Sequence, residues 1–105
     1  MTTVTPFQKR VYDATRKIPR GAVTTYGILA KAIGCGSAQA VGQALRRNPF
    51  APAVPCHRVV AADLTLCGFA GKRSGAELRR KRRLLEAEGV RFEGGRVVES
   101  DCVRI

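Results

Sequence analysis

Apolar side chains recur at helical spacing near the start of the chain. Four of them lie three or four residues apart: Phe7, Val11, Ala14 and Ile18. Such spacing is typical of the buried face of an amphipathic helix. Thr5, Pro6 and Gln8 form the pattern of a capped helix start, in which the threonine and the glutamine make a capping box. The pattern predicts a helix that begins after Thr5 and ends at residues 19–21, Pro-Arg-Gly.

Two further short helices are predicted next, joined by a glycine-containing turn. The first covers residues 25–33 and ends at Gly34, and the second is capped by Ser37 and covers residues 38–47. The buried face of the first consists of Ile28, Leu29, Ala32 and Ile33. Two short helices with such a turn are typical of a helix-turn-helix.

The second of these two helices is rich in small residues, namely Ala38, Ala40, Gly42 and Ala44. A glycine inside a helix lowers its stability. Gly42 therefore indicates either the close approach of a binding partner or close packing against a neighbouring helix, and the sequence leaves both open.

The second half of the chain alternates between extended and helical patterns. Residues 54–61 predict a strand or extended segment, and residues 62–73 predict a loop. A second capping box at residues 74–77 opens a helix that runs to about Glu88 and ends at Gly89. Its inward positions are predicted to be Leu78, Leu84 and Leu85.

A small β-hairpin is predicted at the end of the chain, from residues 90–92 and 96–98 around Glu93, Gly94 and Gly95. The predicted fold is therefore mainly α: a small helical domain with a helix-turn-helix and a short C-terminal β-hairpin, which is a winged-helix-like arrangement. At 105 residues the chain is long enough for one modest hydrophobic core.

Charge is distributed unevenly along the chain, whose formal net charge is +11. Residues 1–85 carry 16 basic and 3 acidic side chains, whereas residues 86–105 carry 3 and 5. A strongly basic body indicates a polyanionic partner, most simply nucleic acid, although a basic solvated surface is the alternative. No apolar run approaches the roughly 20 residues of a membrane span. No signal-peptide pattern precedes the domain, so we expect an intracellular protein without a membrane partner.

Cysteine chemistry narrows the options further. The four cysteines are Cys35, Cys56, Cys67 and Cys102, and His57 is the only histidine. No two cysteines have the close spacing of a zinc site. We therefore expect free thiols, no metal and no cofactor.

The adjacent Cys56 and His57 are the most reactive combination in the sequence. A thiolate is a strong nucleophile, and a histidine oriented by a carboxylate is a recurrent base for it. Neighbouring side chains on a strand point to opposite faces, so their cooperation needs a turn or a bridging water. Glu88 is a candidate for the carboxylate and Glu86 is its rival. A buried cysteine beside a hydrogen-bonded histidine is the structural alternative.

The sequence Pro-Cys-His-Arg-Val at residues 55–59 resembles the active-site signature of the O6-alkylguanine-DNA alkyltransferases, also called methylated-DNA–protein-cysteine methyltransferases. The resemblance extends from about Thr5 to Val90. It includes the segments at residues 21–27, 40–44, 48–49, 68–71 and 84–89. It covers only the active-site domain of that family, so we expect a single domain at residues 1–105 without an N-terminal companion domain.

The resemblance implies a mechanism. The protein would bind duplex DNA containing O6-alkylguanine and rotate the damaged base out of the stack. Cys56 would then take the alkyl group irreversibly. His57 would deprotonate Cys56 through a water, and Glu88 would orient His57. Asn48 would organise this network, and Tyr26 would supply a proton to the leaving guanine.

The resemblance also implies which residues meet DNA. The helix at residues 38–47 would enter the minor groove, where small side chains avoid blocking a narrow space. Arg46 would contact phosphate, and Val59 and Phe69 would line the lesion pocket. The full set of implied DNA and lesion contacts is Thr25, Ala38, Gln39, Arg46, Arg58, Val59, Phe69, Ala70 and Gly71. A monomer is expected, located in the nucleus of a eukaryote or the cytoplasm of a bacterium.

Three positions depart from the family pattern. Gln39 stands where members usually have an arginine that fills the space left by the extruded base, and glutamine lacks its charge and reach. Phe69 stands where tyrosine is common, and Ala70 where serine is common. These departures predict less efficient base extrusion and the loss of a hydrogen bond to the lesion.

Three functions compete at this point: a stoichiometric repair alkyltransferase, a lesion-binding protein that flags damage without transfer, and a sequence-specific regulator. The resemblance implies that short alkyltransferase-like proteins typically replace the cysteine, so Cys56 favours the first function over the second. The third is disfavoured because the recognition helix offers few base-reading side chains besides Gln39 and Gln43. The basic residues at 72–73 and 79–83 indicate either a solvated helix face or contacts to DNA phosphates.

Overall fold

The computed structural model describes residues 4–50, 53–66 and 75–104. These residues form helices on both sides of a short parallel pair of strands, with a hairpin near the end of the chain. The elements are, in order, α1 (Pro6–Thr15), β1 (Thr24–Thr25), α2 (Tyr26–Ala32), α3 (Ala38–Arg46), a 3₁₀ turn (Cys56–Arg58), β2 (Val59–Val60), α4 (Gly75–Ala87), β3 (Phe92–Glu93), β4 (Arg96–Val97) and a second 3₁₀ turn (Glu99–Asp101). The predicted small, mainly helical domain is confirmed.

The predicted capping box of α1 is present. The Thr5 hydroxyl accepts the Gln8 backbone N–H at 3.1 Å, and the Gln8 side chain accepts the Thr5 backbone N–H at 3.0 Å. The helix nevertheless ends at Thr15, so the prediction that Ile18 lies within it is wrong. The N–H of Ile18 bonds to the Thr15 carbonyl, which tightens the chain, and Pro19 disfavours helical geometry at the residue before it. Ile18 is still buried in the core.

Helices α1, α2 and α3 pack around the larger of two hydrophobic clusters. Its buried residues are Val11, Tyr12, Ala14, Ile18, Leu29, Ala30, Val41, Ala44, Leu45, Val54 and Val59. In α2 the buried positions are Leu29 and Ala30, whereas Ala32, predicted to face inward, is exposed. Helix α2 packs against both α1 and α3, and this packing buries Leu29 and Ala30.

A parallel pair of strands connects the two halves of the molecule. Thr24 pairs with Val59 and Thr25 with Val60. The C-terminal segment continues this arrangement, because Val23 donates to the Asp101 carbonyl and accepts from the Val103 N–H. A second hydrophobic cluster lies beyond the strands and consists of Val23, Val60, Leu85, Val90 and Val97. The C-terminal segment thus supports β1 and, through it, the start of α2.

Helix α4 covers the second cluster with a face that differs from the predicted one. Leu85 is fully buried, but Leu84 is 37% exposed, so the prediction that Leu84 points inward is wrong. The fully buried neighbour of Leu85 is Lys81, which precedes it by four residues and therefore shares its face. Leu78 is half-buried, and Ser74 of the predicted capping box lies outside the described residues.

The predicted hairpin is present as the antiparallel pair β3 and β4, in which Phe92 faces Val97. Gly94 and Gly95 form its turn with φ angles of +59° and +78°, in the region that glycine adopts without steric cost.

Gly21 offers a test of how closely the first half of the chain meets the end of α4. Its φ is +91°, and a β-carbon there would lie 3.0 Å from the Glu88 carbonyl oxygen. We expect Gly21→Ala to lower the free energy of unfolding by about 1–3 kcal/mol through backbone strain. Gly89→Ala is the matched control, since its φ is +95° and nothing lies within 4 Å of its added carbon. Equal urea midpoints for the two variants would contradict this packing.

Candidate active site

The segment that carries Cys56 and His57 is a turn and not the predicted strand. The Cys56 N–H donates to the Val54 carbonyl at 2.8 Å, and the Arg58 N–H donates to the Pro55 carbonyl at 2.9 Å. These short-range bonds coil the backbone before it becomes extended at Val59. The rule that neighbouring side chains on a strand point to opposite faces therefore does not apply to Cys56 and His57.

Glu88 is the centre of a buried polar network at the end of α4. Its Oε2 lies 3.0 Å from His57 Nε2 and accepts from Arg58 Nη2 at 2.9 Å, and its Oε1 accepts from Arg58 Nε at 2.9 Å. Its side chain is 11% exposed. The rival Glu86 is exposed and pairs with Arg82 at 3.4 Å, so Glu88 is the carboxylate that meets His57.

Burial and ion pairing set the protonation of this network. The pKa of His57 is lowered, chiefly because burial disfavours the imidazolium, although Glu88 partly offsets this. The pKa of Glu88 is lowered too, chiefly by its hydrogen bond from Arg58. An ionised carboxylate only accepts hydrogen bonds, so the neutral imidazole carries its proton on Nε2. The lone pair of Nδ1 is thereby left to act as a base.

Arg58, for which a DNA contact is predicted, binds interior partners in the structure. Besides its two bonds to Glu88, its Nη1 donates to the Ile18 carbonyl at 2.9 Å, and its side chain is 16% exposed. A bidentate pair of this kind fixes a carboxylate in orientation as well as in charge. The guanidinium is directed inward because these three acceptors surround it.

Cys56 is half-buried beside the larger hydrophobic cluster. No hydrogen bond between its sulfur and the His57 imidazole occurs in the part of the chain that the structure describes. Asn48 holds the segment that leads to Cys56: its Nδ2 donates to the Val54 carbonyl at 2.9 Å, and its Oδ1 accepts the Phe50 N–H at 2.9 Å. This geometry closes the loop between α3 and the cysteine.

Lys81 is a site residue that the sequence reasoning missed. Its buried ammonium donates to the Val59 carbonyl at 2.7 Å, three residues after Cys56. A charged group at full burial requires strong hydrogen bonding. Its position three residues after Leu78 and four before Leu85 was the available signal, since both spacings place it on the apolar face.

The remaining predicted residues lie around the start of α2 and along α3. Tyr26, the first residue of α2, is half-buried, and an added β-carbon at Gly42 would lie 3.9 Å from its ring. A β-carbon there would make an ordinary van der Waals contact, so the packing of α2 against α3 does not by itself require glycine at residue 42. Thr25 is buried and its hydroxyl caps α2 at 3.1 Å, and Val59 is fully buried in β2.

Three predicted DNA contacts lie on α3, and all three are exposed: Ala38, Gln39 and Arg46. The predicted pocket residues Phe69, Ala70 and Gly71 lie outside the described residues.

Other features of the described ranges bear on the competing functions. Cys35, Cys56 and Cys102 are free thiols, and Cys67 lies outside those ranges. No cluster of three or more histidine, cysteine, aspartate or glutamate side chains within residues 4–50, 53–66 and 75–104 could hold a metal ion. None of the helices there is long and apolar enough to cross a membrane.

The chain matches known proteins over most of its length. Residues 6–90 match the family model described as 6-O-methylguanine DNA methyltransferase, DNA binding domain. The methylated-DNA–protein-cysteine methyltransferase of Thermococcus kodakarensis is 52% identical over 89 residues, which cover 84% of this chain and 47% of the relative.

Two solved structures are similar in fold. The Mycobacterium tuberculosis OGT in complex with DNA has a TM-score of 0.75 at 45% identity, covering 83% of this chain and 52% of that one. The S. pombe ATL in complex with DNA has a TM-score of 0.78 at 31% identity, covering 99% and 100%.

The chain therefore belongs to the 6-O-methylguanine DNA methyltransferase DNA-binding domain family. It spans about half the length of the curated relatives that it matches.

His57 should titrate below the ordinary histidine pKa of 6.5, because burial disfavours its charged form. It is the only histidine, so NMR can follow it without ambiguity. Glu88→Gln should lower the midpoint further, since the carboxylate raises the pKa, and the exposed Glu86→Gln should not change it. A midpoint at or above 6.5 in the unmodified protein would contradict the buried network.

The same shift has a consequence for stability. The unfolded chain binds the proton more tightly than the folded one, so the contribution of His57 is complete above pH 6.5 and declines as the pH falls below it.

Proposed function

We propose that this chain repairs duplex DNA by taking the alkyl group of O6-alkylguanine irreversibly onto Cys56. The observation that carries the proposal is the contact of His57 with Glu88, which is itself held by Arg58, one residue from a half-buried cysteine. The family membership supports the proposed substrate class, and the geometry supports the proposed chemical roles.

The first step of the proposed reaction is the removal of the thiol proton of Cys56. Because Glu88 accepts the Nε2 proton of His57, Nδ1 is the free basic atom of the ring. It would accept the thiol proton of Cys56 through one water, since no direct bond joins them within the described residues. Glu88 stabilises the imidazolium that forms, and Arg58 keeps Glu88 ionised and in place.

The bonds, electrons and protons of the alkyl transfer balance without a cofactor. The Cys56 thiolate attacks the alkyl carbon, a carbon–sulfur bond forms, and the bond between that carbon and guanine O6 breaks. The electron pair of that bond stays on guanine, which takes one proton, and Tyr26 at the start of α2 is the proposed donor. The products are a thioether and unmodified guanine, so each protein molecule acts once.

The exposed surface of α3 is the proposed contact to DNA. Its small Ala38 and its polar Gln39 fit a minor groove, and Arg46 in its last turn suits a phosphate. The base must leave the stack to reach the half-buried Cys56, because the reacting carbon is shielded inside a duplex.

A second candidate is a lesion-binding protein that marks damage for another pathway without transfer. The observation that favours it is the match to S. pombe ATL over essentially the whole of both chains, since the resemblance implies a short architecture for the alkyltransferase-like class. The presence of Cys56 favours transfer over this candidate.

Intact mass measurement after incubation with a duplex bearing O6-methylguanine separates the two functions. We expect the protein to gain the mass of one methylene, and Cys56→Ser to gain nothing. Glu88→Gln should slow the transfer by roughly 10²-fold or more, because the His57 base loses its charge partner.

Glu86→Gln is the matched control, since Glu86 sits on the same helix end but is exposed and away from His57. Its transfer rate should equal that of the unmodified protein. Tight lesion binding without any mass gain would reject transfer in favour of the second candidate. Equal rates for Glu88→Gln and Glu86→Gln would remove Glu88 from the mechanism.

A further inference from the structure

Helix α4 presents a strongly cationic outer face that the proposed reaction does not use. Four arginines on this helix are exposed: Arg79, Arg80, Arg82 and Arg83. Lys81, between them in sequence, is buried and donates to the Val59 carbonyl. The helix therefore has one lysine assigned to the interior and four arginines turned to solvent.

The arginines differ in how their charge is used. Arg82 pairs with Glu86, and its guanidinium lies 4.6 Å from the centre of the Phe92 ring. Arg79 and Arg83 form no ion pair with any residue of the described ranges. These two, which we call the α4 arginine pair, are one helical turn apart and on the same face, about 6 Å along the axis.

Repulsion between the exposed arginines lowers the stability of α4. Like charges three or four residues apart destabilise a helix. Arg79 repels both Arg82 and Arg83 at these spacings, and Arg80 repels Arg83. A local conflict of this kind is characteristic of a functional surface, where a ligand of opposite charge relieves it.

The position of α4 separates this surface from the recognition helix. Helix α4 packs against the Cys56–Arg58 turn and covers the second hydrophobic cluster, whereas α3 packs against α1 and α2. The two helices thus belong to different clusters, on either side of the paired strands β1 and β2.

We infer that the α4 arginine pair binds the phosphate backbone of duplex DNA, independently of sequence and of the lesion. The inference rests on the proposed function, which brings a duplex to the molecule. Arginine matches phosphate geometry with two parallel hydrogen bonds. A duplex presents closely and regularly spaced negative charge, which suits two arginines one turn apart on a rigid helix.

The salt dependence of binding to a short undamaged duplex tests this contact. Each phosphate contact contributes about 0.9 to the slope of log affinity against log salt concentration. The double variant Arg79→Gln with Arg83→Gln should therefore reduce that slope by about 1.8 and weaken binding. Glutamine forms helices about as well as arginine, so α4 should remain folded, which circular dichroism checks.

Two further variants distinguish a specific contact of the α4 arginine pair from a general effect of the protein's net charge. Arg96→Gln with Arg104→Gln removes two exposed arginines outside α4, and its slope should stay close to that of the unmodified protein. Arg79→Lys with Arg83→Lys keeps both charges and should retain most of the slope.

The outcomes separate this inference from the proposed function. An unchanged slope in the α4 glutamine variant, or an equal loss in the Arg96 and Arg104 variant, would overturn the α4 contact while leaving the repair proposal intact. Failure of the unmodified protein to bind damaged or undamaged duplex at low salt would overturn both.

Discussion

The carboxylate of Glu88 joins three segments that are distant in the chain. It accepts hydrogen bonds from His57 and Arg58 of the cysteine turn, and Arg58 in turn binds the Ile18 carbonyl after α1. A buried ion pair costs desolvation energy, and removing one partner leaves an uncompensated charge that costs about 3–5 kcal/mol. The end of α4, the turn and the end of α1 are therefore interdependent.

The same interaction explains why the site is ordered before any substrate arrives. Arg58 keeps Glu88 ionised, Glu88 determines which nitrogen of His57 carries the proton, and burial keeps the ring neutral. Lys81 adds a second constraint by holding the Val59 carbonyl directly after the turn. Preorganised groups of this kind need no rearrangement during a reaction. The α4 helix thus supplies both the carboxylate and the lysine that support the cysteine segment.

Local signals in the sequence were sufficient to predict that the helices and the hairpin form. Thr5, Thr25 and Ser37 are N-caps whose effect lies within one turn of the chain. The errors arose where distant contacts decide. Ala32 and Leu84 are exposed because neighbouring elements set which helix face is buried. Residues 56–58 are a separate case, because short-range bonds to the Val54 and Pro55 carbonyls coil the backbone there. The choice of Glu88 over Glu86 depended on the fold, since Glu86 lies in the last turn of α4 and Glu88 directly follows the helix.

The interior roles of Arg58 and Lys81 were the least predictable part of the site. Both residues are charged, and charged residues are almost never fully buried unless they are paired. Their acceptors are Glu88 and the backbone carbonyls of Ile18 and Val59. These lie 22 to 40 residues away in sequence, so no short motif reports them.

Glu88 fixes the proton of His57 on Nε2 and leaves the lone pair of Nδ1 unprotonated. Nitrogen-15 NMR of the single histidine at a pH above its titration measures this directly, because protonated and unprotonated ring nitrogens have distinct chemical shifts. We expect a protonated Nε2 and an unprotonated Nδ1 in the unmodified protein. A ring with its proton on Nδ1 would contradict it.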